Sequence, residues 1–259
     1  MNAGEPKIRL RGVRKAFGPK VVLDGVDLDI GTGESVVIIG RSGGGKSILL
    51  KHLIGLIRPD AGEVLIGGEP ISQMNERELL RVRHKFGMLF QGAALFDSLS
   101  VAENVGFALR RERKWTGAEI AHKVAEALEM VDLPGCELKK PSELSGGMRK
   151  RVGLARAIIY QPEIVLYDEP TTGLDPIVAD SIDQLILRVC GRMQVTSLVV
   201  THDMRSTRRV GRRIMLLHEG RIYVTGTPDE IFNSTDPVVS RFVNGISDLK
   251  ENVVEPQKL

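Results

Sequence analysis

The stretch Ser35-Val36-Val37-Ile38-Ile39-Gly40-Arg41-Ser42-Gly43-Gly44-Gly45-Lys46-Ser47 decides the fold of this 259-residue chain. Its first part, 35–39, is dominated by apolar β-branched residues, which predicts a strand buried on both faces. Its second part, 40–47, fits the pattern G-x-x-x-x-G-K-[ST], and a helical run, 48–57, follows it. Glycines in this context let successive backbone N–H groups turn inward on phosphate oxygens. The stretch therefore predicts a phosphate-binding loop between a buried strand and a helix.

Nucleotide contacts are predicted along this whole loop, at Gly40, Arg41, Ser42, Gly43, Gly44, Gly45, Lys46, Ser47 and Ile48. In such a loop Lys46 bridges the β- and γ-phosphates of the nucleotide, and the hydroxyl of Ser47 binds Mg²⁺. A merely flexible glycine-rich turn would explain neither of these two residues. The Arg41 side chain is expected to be a solvated loop charge.

Further apolar runs resemble the strand at 35–39, and they lie at 164–167, 197–201 and 214–217. Helical stretches separate these runs. Uninterrupted apolar strands that alternate with helices predict a parallel sheet covered on both faces. The segment His218-Glu219-Gly220-Arg221 is then expected to be a hairpin turn that leads to a last strand.

The rest of the chain shows other patterns. Residues 8–10, 21–23 and 26–30 look like half-buried strands broken by Gly18-Pro19 and Asp24-Gly25, which predicts a small antiparallel piece. From about 92 to 160 the pattern is helical, with helices expected at 101–110, 118–131 and 145–160. The predicted fold class is therefore α/β: a mainly parallel core sheet, an N-terminal antiparallel β subdomain and an inserted helical subdomain.

Polar residues follow two of the predicted core strands. Asp168 and Glu169 come directly after 164–167, and His202 follows 197–201. Ligands of open parallel sheets collect at the carboxyl ends of the strands, where Gly40 also begins its loop. We expect Asp168 to bind Mg²⁺, Glu169 to orient or deprotonate the attacking water, and His202 to contact the γ-phosphate. Adjacent loop carboxylates are commonly only solvated, but the apolar strand before them argues against that reading.

The motif Leu144-Ser145-Gly146-Gly147-Met148 precedes another helical run. Ser145 is a suitable N-cap, so the motif by itself is explained as a capped helix start. Its glycines also expose backbone N–H groups, which form a second anion site far from the phosphate loop in the sequence. One polypeptide then carries two half-sites, and a two-fold homodimer would complete both.

Taken together, these motifs resemble the nucleotide-binding subunit of an ABC transporter, over residues 8–245. By this resemblance, 40–47 corresponds to the Walker A loop, 144–148 to the signature motif and Asp168-Glu169 to the Walker B pair. Gln91 corresponds to the Q-loop residue and 173–176 to the D-loop. Phe17 lies where the family places an aromatic residue that stacks on adenine, with an ordinary core phenylalanine as the alternative.

The resemblance also implies the cofactors, ATP and Mg²⁺, and a role for each matched residue. The implied catalytic residues are Glu169, His202 and Gln91. The implied metal ligands are Ser47, Gln91 and Asp168. Beyond the loop, the implied nucleotide contacts are Phe17, Ser145, Gly146, Gly147 and Asp175. Met148 and Ile48 depart from the residues commonest in the family, but neither departure removes a phosphate or metal ligand.

Three stretches narrow the resemblance to one branch: 45–52, 91–99 and 167–173 look like the ATPase subunits of Mla-type phospholipid transporters. This implies a subunit that powers phospholipid transport between the inner and outer membranes of a Gram-negative bacterium. The implied partners are transmembrane permease subunits and periplasmic lipid-binding components, and the implied location is the cytoplasmic side of the inner membrane. The nearest alternative is an amino-acid importer ATPase. A non-transport ABC ATPase is more distant, because the segment between Gln91 and Ser145 has no sustained heptad run.

Composition agrees with this reading. The chain has 36 Lys and Arg against 33 Asp and Glu, a surplus too small to indicate a nucleic-acid partner. Cys136 and Cys190 fit reduced thiols, and no apolar run approaches the roughly 20 residues that span a bilayer, so any membrane role is expected to be peripheral. Residues 1–245 are predicted to form a single ATPase domain. Residues 246–259 are expected to be a C-terminal tail, either disordered or a strap on a partner ATPase.

Overall fold

The computed structural model describes residues 5–246, whose strands form two sheets. The strands are β1 (Ile8–Phe17), β2 (Lys20–Ile30), β3 (Ser35–Ile39), β4 (Ala61–Ile66), β5 (Glu69–Pro70), β6 (Phe86–Leu89), β7 (Ile164–Asp168), β8 (Thr196–Thr201), β9 (Arg213–His218) and β10 (Arg221–Gly226). The helices are α1 (Lys46–Leu53), α2 (Glu76–Arg83), α3 (Val101–Val105), α4 (Phe107–Glu112), α5 (Gly117–Met130), α6 (Gly146–Ile158), α7 (Pro176–Met193), α8 (Met204–Val210), α9 (Pro228–Phe232) and α10 (Pro237–Val243).

The larger sheet has the order β10-β9-β3-β8-β7-β6 and is parallel from β9 to β6. Every residue of β7 and β8 is buried. Side chains on one face of the sheet pack against α5, α6 and α7, and those on the other face pack against α1 and the smaller sheet. The predicted parallel core is confirmed. Its register pairs Ile39 with Thr201 and Asp168 with Val200, so the carboxyl ends of β3, β7 and β8 meet at one edge.

The smaller sheet is antiparallel and has the order β2-β1-β4-β5. The expected break at Asp24-Gly25 is wrong, because β2 runs through both residues. Gly25 takes a φ of +75°, and the pairing of β1 with β2 shifts register there, so a bulge absorbs the irregularity without ending the strand.

Four elements, β4, β5, α2 and β6, were not predicted from the sequence. In β6 the apolar pattern is interrupted by Gly87. A Cβ added at Gly87 would lie 2.3 Å from the backbone oxygen of Ala157 in α6. The glycine therefore lets a helix backbone approach the strand closely, which is a requirement of tertiary packing that periodicity does not reveal.

The predicted helical insertion lies between β6 and β7 and contains α3 to α6. The helix expected at 101–110 is divided in two at Gly106, which has φ −82° and ψ 3°. A Cβ at this glycine would lie 3.0–3.2 Å from Ile120 and Val124 of α5, so close packing favours glycine where the chain bends. The helix expected at 145–160 begins as predicted, with Ser145 as its N-cap, and ends two residues early, at Ile158.

The predicted hairpin joins β9 to β10. The last described helix is α10, after which Gly245 takes a φ of +67°. Only Ile246 of the predicted tail is among the described residues, and the remainder of that tail, including the hypothetical strap, lies outside them. Within residues 5–246, none of the helices combines the length and the apolar character needed to cross a bilayer.

Candidate functional site

The glycine-rich loop closes around the side chain of its own lysine. Lys46 is buried, and its Nζ donates to the backbone oxygens of Gly40 at 2.8 Å and Arg41 at 3.1 Å. A Cβ on Gly40 would lie 2.6 Å from the oxygen of Leu217 on β9. Gly45, at a φ of +100°, leaves little space beside Val22 and Leu23 of β2. The loop is therefore fixed between the two sheets, with its ammonium group at the start of α1.

A hydroxyl and a carboxylate meet at the first turn of α1. Ser47 Oγ donates to Asp168 Oδ1 at 2.8 Å, across the gap between α1 and the end of β7. Burial raises the pKa of Asp168, the hydrogen bond from Ser47 opposes that rise, and the charge of Glu169 adds to it. Hydroxyl and carboxylate oxygens are the donors that Mg²⁺ takes from proteins when substrate phosphates supply further ligands. The donor set at this point fits that ion.

The next residue, Glu169, has a backbone φ of +49°, which is uncommon for a residue other than glycine. The carboxylate accepts from Thr172 Oγ1 at 3.2 Å and Thr201 Oγ1 at 3.3 Å, and lies 2.9 Å from His202 Nδ1. Lys46 Nζ lies 3.3 Å from its other oxygen. Burial acts to raise the pKa of Glu169, but the hydrogen bond with His202 and the charge of Lys46 outweigh it, so the pKa is lowered. The result is a buried, ionised carboxylate held in one orientation.

Lys46, Ser47, Glu169 and His202 line one cleft of about 220 Å³, whereas Gly40, Arg41, Gly44 and Asp168 are not among its lining residues. Its lining residues are Ser42, Gly43, Gly45, Lys46, Ser47, Ile48, Gln91, Glu169 and His202. Gln91 follows β6 and is exposed, and the His202 side chain is about half exposed at the end of β8. The fold thus brings together predicted residues from the loop and from three strand ends. The cleft has polar groups suited to phosphate oxygens at its base and a carboxylate acceptor beside them.

Other predicted site residues do not line this cleft. Phe17, at the end of β1, is 47% exposed, and Lys15 Nζ lies 5.5 Å from the centre of its ring. Ser145 Oγ accepts from the backbone N–H of Met148. Asp175 caps α7 by accepting from two backbone N–H groups, those of Ile177 and Val178.

The glycines of the second motif pack against the start of α7. A Cβ on Gly146 would lie 3.1 Å from Leu174 Cδ2, and one on Gly147 would lie 2.6 Å from Val178 Cγ1. The motif at 144–148 and the segment at 173–176 therefore form one surface, separate from the Lys46 cleft. Among the described residues, none of 144–148 or 173–176 lines the Lys46 cleft, and the hydrogen bonds of the Ser145 and Asp175 side chains are local.

Sequence reasoning missed the buried groups that support the cleft. Thr172 and Thr201 bond the Glu169 carboxylate, and both adjoin residues that were singled out. Lys150 on α6 is buried and donates to the backbone oxygens of Gln91 and Glu169, at 3.2 Å for Glu169. Proximity in sequence could have indicated the threonines. Nothing local distinguishes Lys150 from a solvated lysine on a helix.

Known proteins share this sequence over most of its length. The family model described as ABC transporter matches residues 23–172. A probable ribonucleotide transport ATP-binding protein of Mycobacterium leprae is 42% identical over 238 residues, which are 92% of this chain and 69% of that protein. The chain spans 66% of the Mycobacterium bovis counterpart.

Relatives in other transport systems are nearly as similar. The intermembrane phospholipid transport system ATP-binding protein MlaF of Haemophilus influenzae is 38% identical over 241 residues, 93% of this chain and 91% of that protein. A sulfate/thiosulfate import ATP-binding protein of Xylella fastidiosa is 38% identical over 246 residues, 93% of this chain and 69% of that protein.

A solved structure is similar to this chain in both sequence and fold. It is the dimeric, post-hydrolysis state of an ATP-binding cassette bound to ADP and Pi, at 34% sequence identity and a TM-score of 0.78. The superposition covers 85% of this chain and 98% of that one. The chain therefore belongs to the ABC transporter family, as one of its ATP-binding and ATP-hydrolysing subunits.

Proposed function

We propose that this chain powers phospholipid transport between the inner and outer membranes of a Gram-negative bacterium, by hydrolysing MgATP in the Lys46 cleft. The single observation that carries the hydrolytic assignment is the Glu169 carboxylate, ionised and fixed by His202 at the cleft wall. A carboxylate so placed beside a phosphate-binding loop is suited to accept a proton from an attacking water. Residues 1–245 are proposed to form this ATPase as a single domain.

Each residue of the cleft has a proposed task. The backbone N–H groups of 40–48 and the Lys46 ammonium bind the phosphates and offset their charge. Ser47, Asp168 and Gln91 would hold Mg²⁺, which supplies charge compensation on the phosphate oxygens. Glu169 orients the water and takes up its proton, while His202 keeps the carboxylate in place and contacts the γ-phosphate. Phe17 offers a partly exposed ring for the adenine.

The second surface is proposed to act in a homodimer. Ser145, Gly146, Gly147 and Asp175 of one subunit would complete the nucleotide site of the other, each chain contributing half of two sites. Support comes from the separation of this surface from the Lys46 cleft and from the dimeric state of the ADP-bound relative.

The phospholipid cargo rests on the stretches 45–52, 91–99 and 167–173 and on the similarity to MlaF, which extends over nine-tenths of both proteins. Transmembrane permease subunits, periplasmic lipid-binding components and a position on the cytoplasmic side of the inner membrane belong to this proposal. The second candidate function is import of a small solute, because the sulfate/thiosulfate import protein and MlaF have the same sequence identity to this chain, 38%. The stretch that begins at Gln91, 91–99, favours phospholipid transport over amino-acid import.

The permease is proposed to dock near Phe96 and Leu99. Phe96 is 46% exposed and stacks on Phe107 at a centroid distance of 4.8 Å. A cavity of about 500 Å³ beside them is lined by two half-buried apolar residues, Leu99 and Phe107, and by four charged residues, Glu103, Arg110, Arg111 and Arg113. Apolar side chains rimmed by charged ones suit a short amphipathic helix of the partner. Phe96→Asp is expected to abolish permease assembly, whereas Leu138→Asp, at a fully exposed leucine on another part of the same subdomain, is not.

Cargo is tested on the complex purified from native membranes. Bound lipid is identified by mass spectrometry, and ATP hydrolysis is measured with added phospholipid, sulfate or amino acids. We expect phospholipid to be bound and to stimulate hydrolysis. Stimulation by sulfate or an amino acid, with phospholipid inert, would establish an importer of small solutes instead.

A further inference from the structure

Two cationic side chains of α6 bind the chain segment that follows β6. Lys150 Nζ donates to the backbone oxygen of Gln91. Two turns further along the helix, Arg156 donates to the oxygens of Ala93 and Ala94, both at 2.6 Å. Ala93 and Ala94 have φ values of +59° and +47°, so the segment is bent where the arginine holds it. The helix thus binds the segment 91–94 at both of its ends.

Between Lys150 and Arg156, α6 also packs closely against Leu89 and Ala93. Gly153 lies between Lys150 and Arg156 at helical spacing, and a Cβ there would lie 2.9 Å from Leu89 and 3.2 Å from Ala93. With charge-assisted hydrogen bonds on either side of this close contact, the helix and the segment are expected to move as one body. Ser145 caps the start of α6, and the segment begins at Gln91, which lines the nucleotide cleft.

Lys150 also reaches the catalytic wall of the cleft. Its Nζ lies 3.2 Å from the backbone oxygen of Glu169, the residue with the left-handed backbone. Only 5% of Lys150 is exposed. Burial lowers the pKa of Lys150, and the nearby carboxylates of Asp168 and Glu169 oppose this shift. A buried ammonium is costly unless it is well paired, so its two carbonyl contacts define a specific position.

We infer that Lys150 is a positioning residue for ATP hydrolysis, which fixes the backbones of Gln91 and Glu169 relative to each other and ties both to the signature helix α6. The inference rests on the proposed roles of Gln91 and Glu169 and adds a residue outside the cleft lining. Lys150 acts through these two carbonyl oxygens and does not touch the nucleotide. Its effect falls on turnover, because a shift of about 1 Å in a reacting group costs on the order of 10²-fold in rate.

The test measures kcat, KM and nucleotide affinity of the full chain with MgATP. Lys150→Met keeps the length and most of the volume of the side chain and removes both hydrogen bonds. We expect kcat to fall about 10²-fold while KM and nucleotide affinity change less than about threefold. Lys150→Arg keeps a cation with several donors and is expected to recover at least about tenfold of the loss. Lys139→Met, at an exposed lysine between α5 and α6, is the control and should behave as the wild type.

A double-mutant cycle separates positioning from a role in folding. In the Glu169→Gln background, measured in single turnovers, Lys150→Met is expected to cost less than about threefold, because residues that act as a unit are not additive. Wild-type kcat in Lys150→Met would overturn the inference. The inference would also be overturned if Lys150→Met lowered the single-turnover rate by a full 10²-fold in the Glu169→Gln background and weakened nucleotide binding as well. Such a result would describe a residue that is needed only for folding.

Different results would reject the proposed role of Glu169 and the inferred role of Lys150. If Glu169→Gln hydrolyses ATP at the wild-type rate, the proposed base is wrong. If Glu169→Gln is inactive and Lys150→Met is fully active, the proposed function stands and only the role of Lys150 is rejected.

Discussion

Two helices of this protein begin at glycine-rich motifs, and they begin in different ways. α1 follows Gly45, which is left-handed and offers no capping side chain, and the Lys46 ammonium folds back onto the loop. α6 follows Ser145, whose hydroxyl accepts from the third backbone N–H of the helix. No capping side chain accepts from the first backbone N–H groups of α1, so they are suited to bind a ligand. At α6, one of these N–H groups already donates to the Ser145 cap.

Their surroundings differ even more. The start of α1 faces Asp168, Glu169 and His202, which arrive from the ends of two neighbouring strands. The start of α6 lies against Leu174 and the first turn of α7, and within residues 5–246 its motif does not line the Lys46 cleft. A helix start therefore becomes a reaction site through the groups that the fold brings opposite to it. Variants of the two regions test whether one chain supplies every group of the first region, and whether a second chain supplies the missing groups of the second.

The largest effect is expected at Glu169 in the first region. Glu169→Gln removes the proton acceptor and is expected to lower kcat by about 10²–10⁴-fold while nucleotide remains bound. Lys46→Ala should weaken nucleotide binding as well, because it removes the cation that offsets phosphate charge. Steady-state hydrolysis and equilibrium nucleotide binding distinguish the two variants. Glu126→Gln, at an exposed position on α5, is the control, and an active Glu169→Gln would contradict the assignment.

The next effect is expected at Asp183, buried in the helix that supports the second region. Burial raises its pKa to about 6, a hydrogen bond with Ser206 opposes the rise, and one of its oxygens has no partner. Because the folded pKa lies above the unfolded one, the folded state binds more protons between these values. The contribution of Asp183 to the free energy of unfolding should therefore fall as pH rises from about 4 to about 7, by up to about 3 kcal/mol.

Urea unfolding at both pH values measures this change. Asp183→Asn should remove the part of the slope that Asp183 contributes, while Asp97→Asn, at an exposed carboxylate, should leave it in place. An unchanged slope in Asp183→Asn would show that another group carries the pH dependence.

A smaller effect is expected at Gly147 in the second region. With ATP and Glu169→Gln, the chain is expected to form a dimer, and adding Gly147→Ala should weaken that dimer about tenfold or more. The added Cβ must displace Val178, which deforms the proposed contact surface. Light scattering with and without ATP measures the dimer. Gly191→Ala on α7 meets no neighbouring atom within 4 Å and serves as the control. A monomer that ATP never assembles would refute the two-chain site.

The smallest effect is expected at Ser145. Ser145→Ala removes the N-cap of α6 and should lower the free energy of unfolding by about 1 kcal/mol. Nucleotide affinity of the monomer should stay unchanged, because Ser145 does not line the cleft of its own chain. Calorimetric unfolding and nucleotide titration measure the two quantities. A parallel loss of monomer affinity would place Ser145 in the same-chain site and remove the contrast between the two helix starts.

Much of the architecture could be predicted because its signals are local. The strand at 35–39 was predicted with its observed bounds, and the ends of β7 and β8 were predicted to within one residue. Buried parallel strands are short runs of apolar β-branched residues, which periodicity detects well. The strands β4, β5 and β6 were not predicted because they are short or contain glycine. The division of the predicted helix at Gly106 was not predicted because it depends on contacts with α5.

The sequence by itself determined the phosphate loop, the carboxylates after β7 and the histidine after β8, because each is a residue type at a fixed spacing from a recognisable strand. Only the tertiary structure decided that His202 and Lys46 hold Glu169 ionised, and that Lys150, far away in the chain, binds the backbones of Gln91 and Glu169. The physical reason is burial. A side chain acquires a shifted pKa or a specific partner only when distant segments enclose it, and no local pattern records which segments will do so.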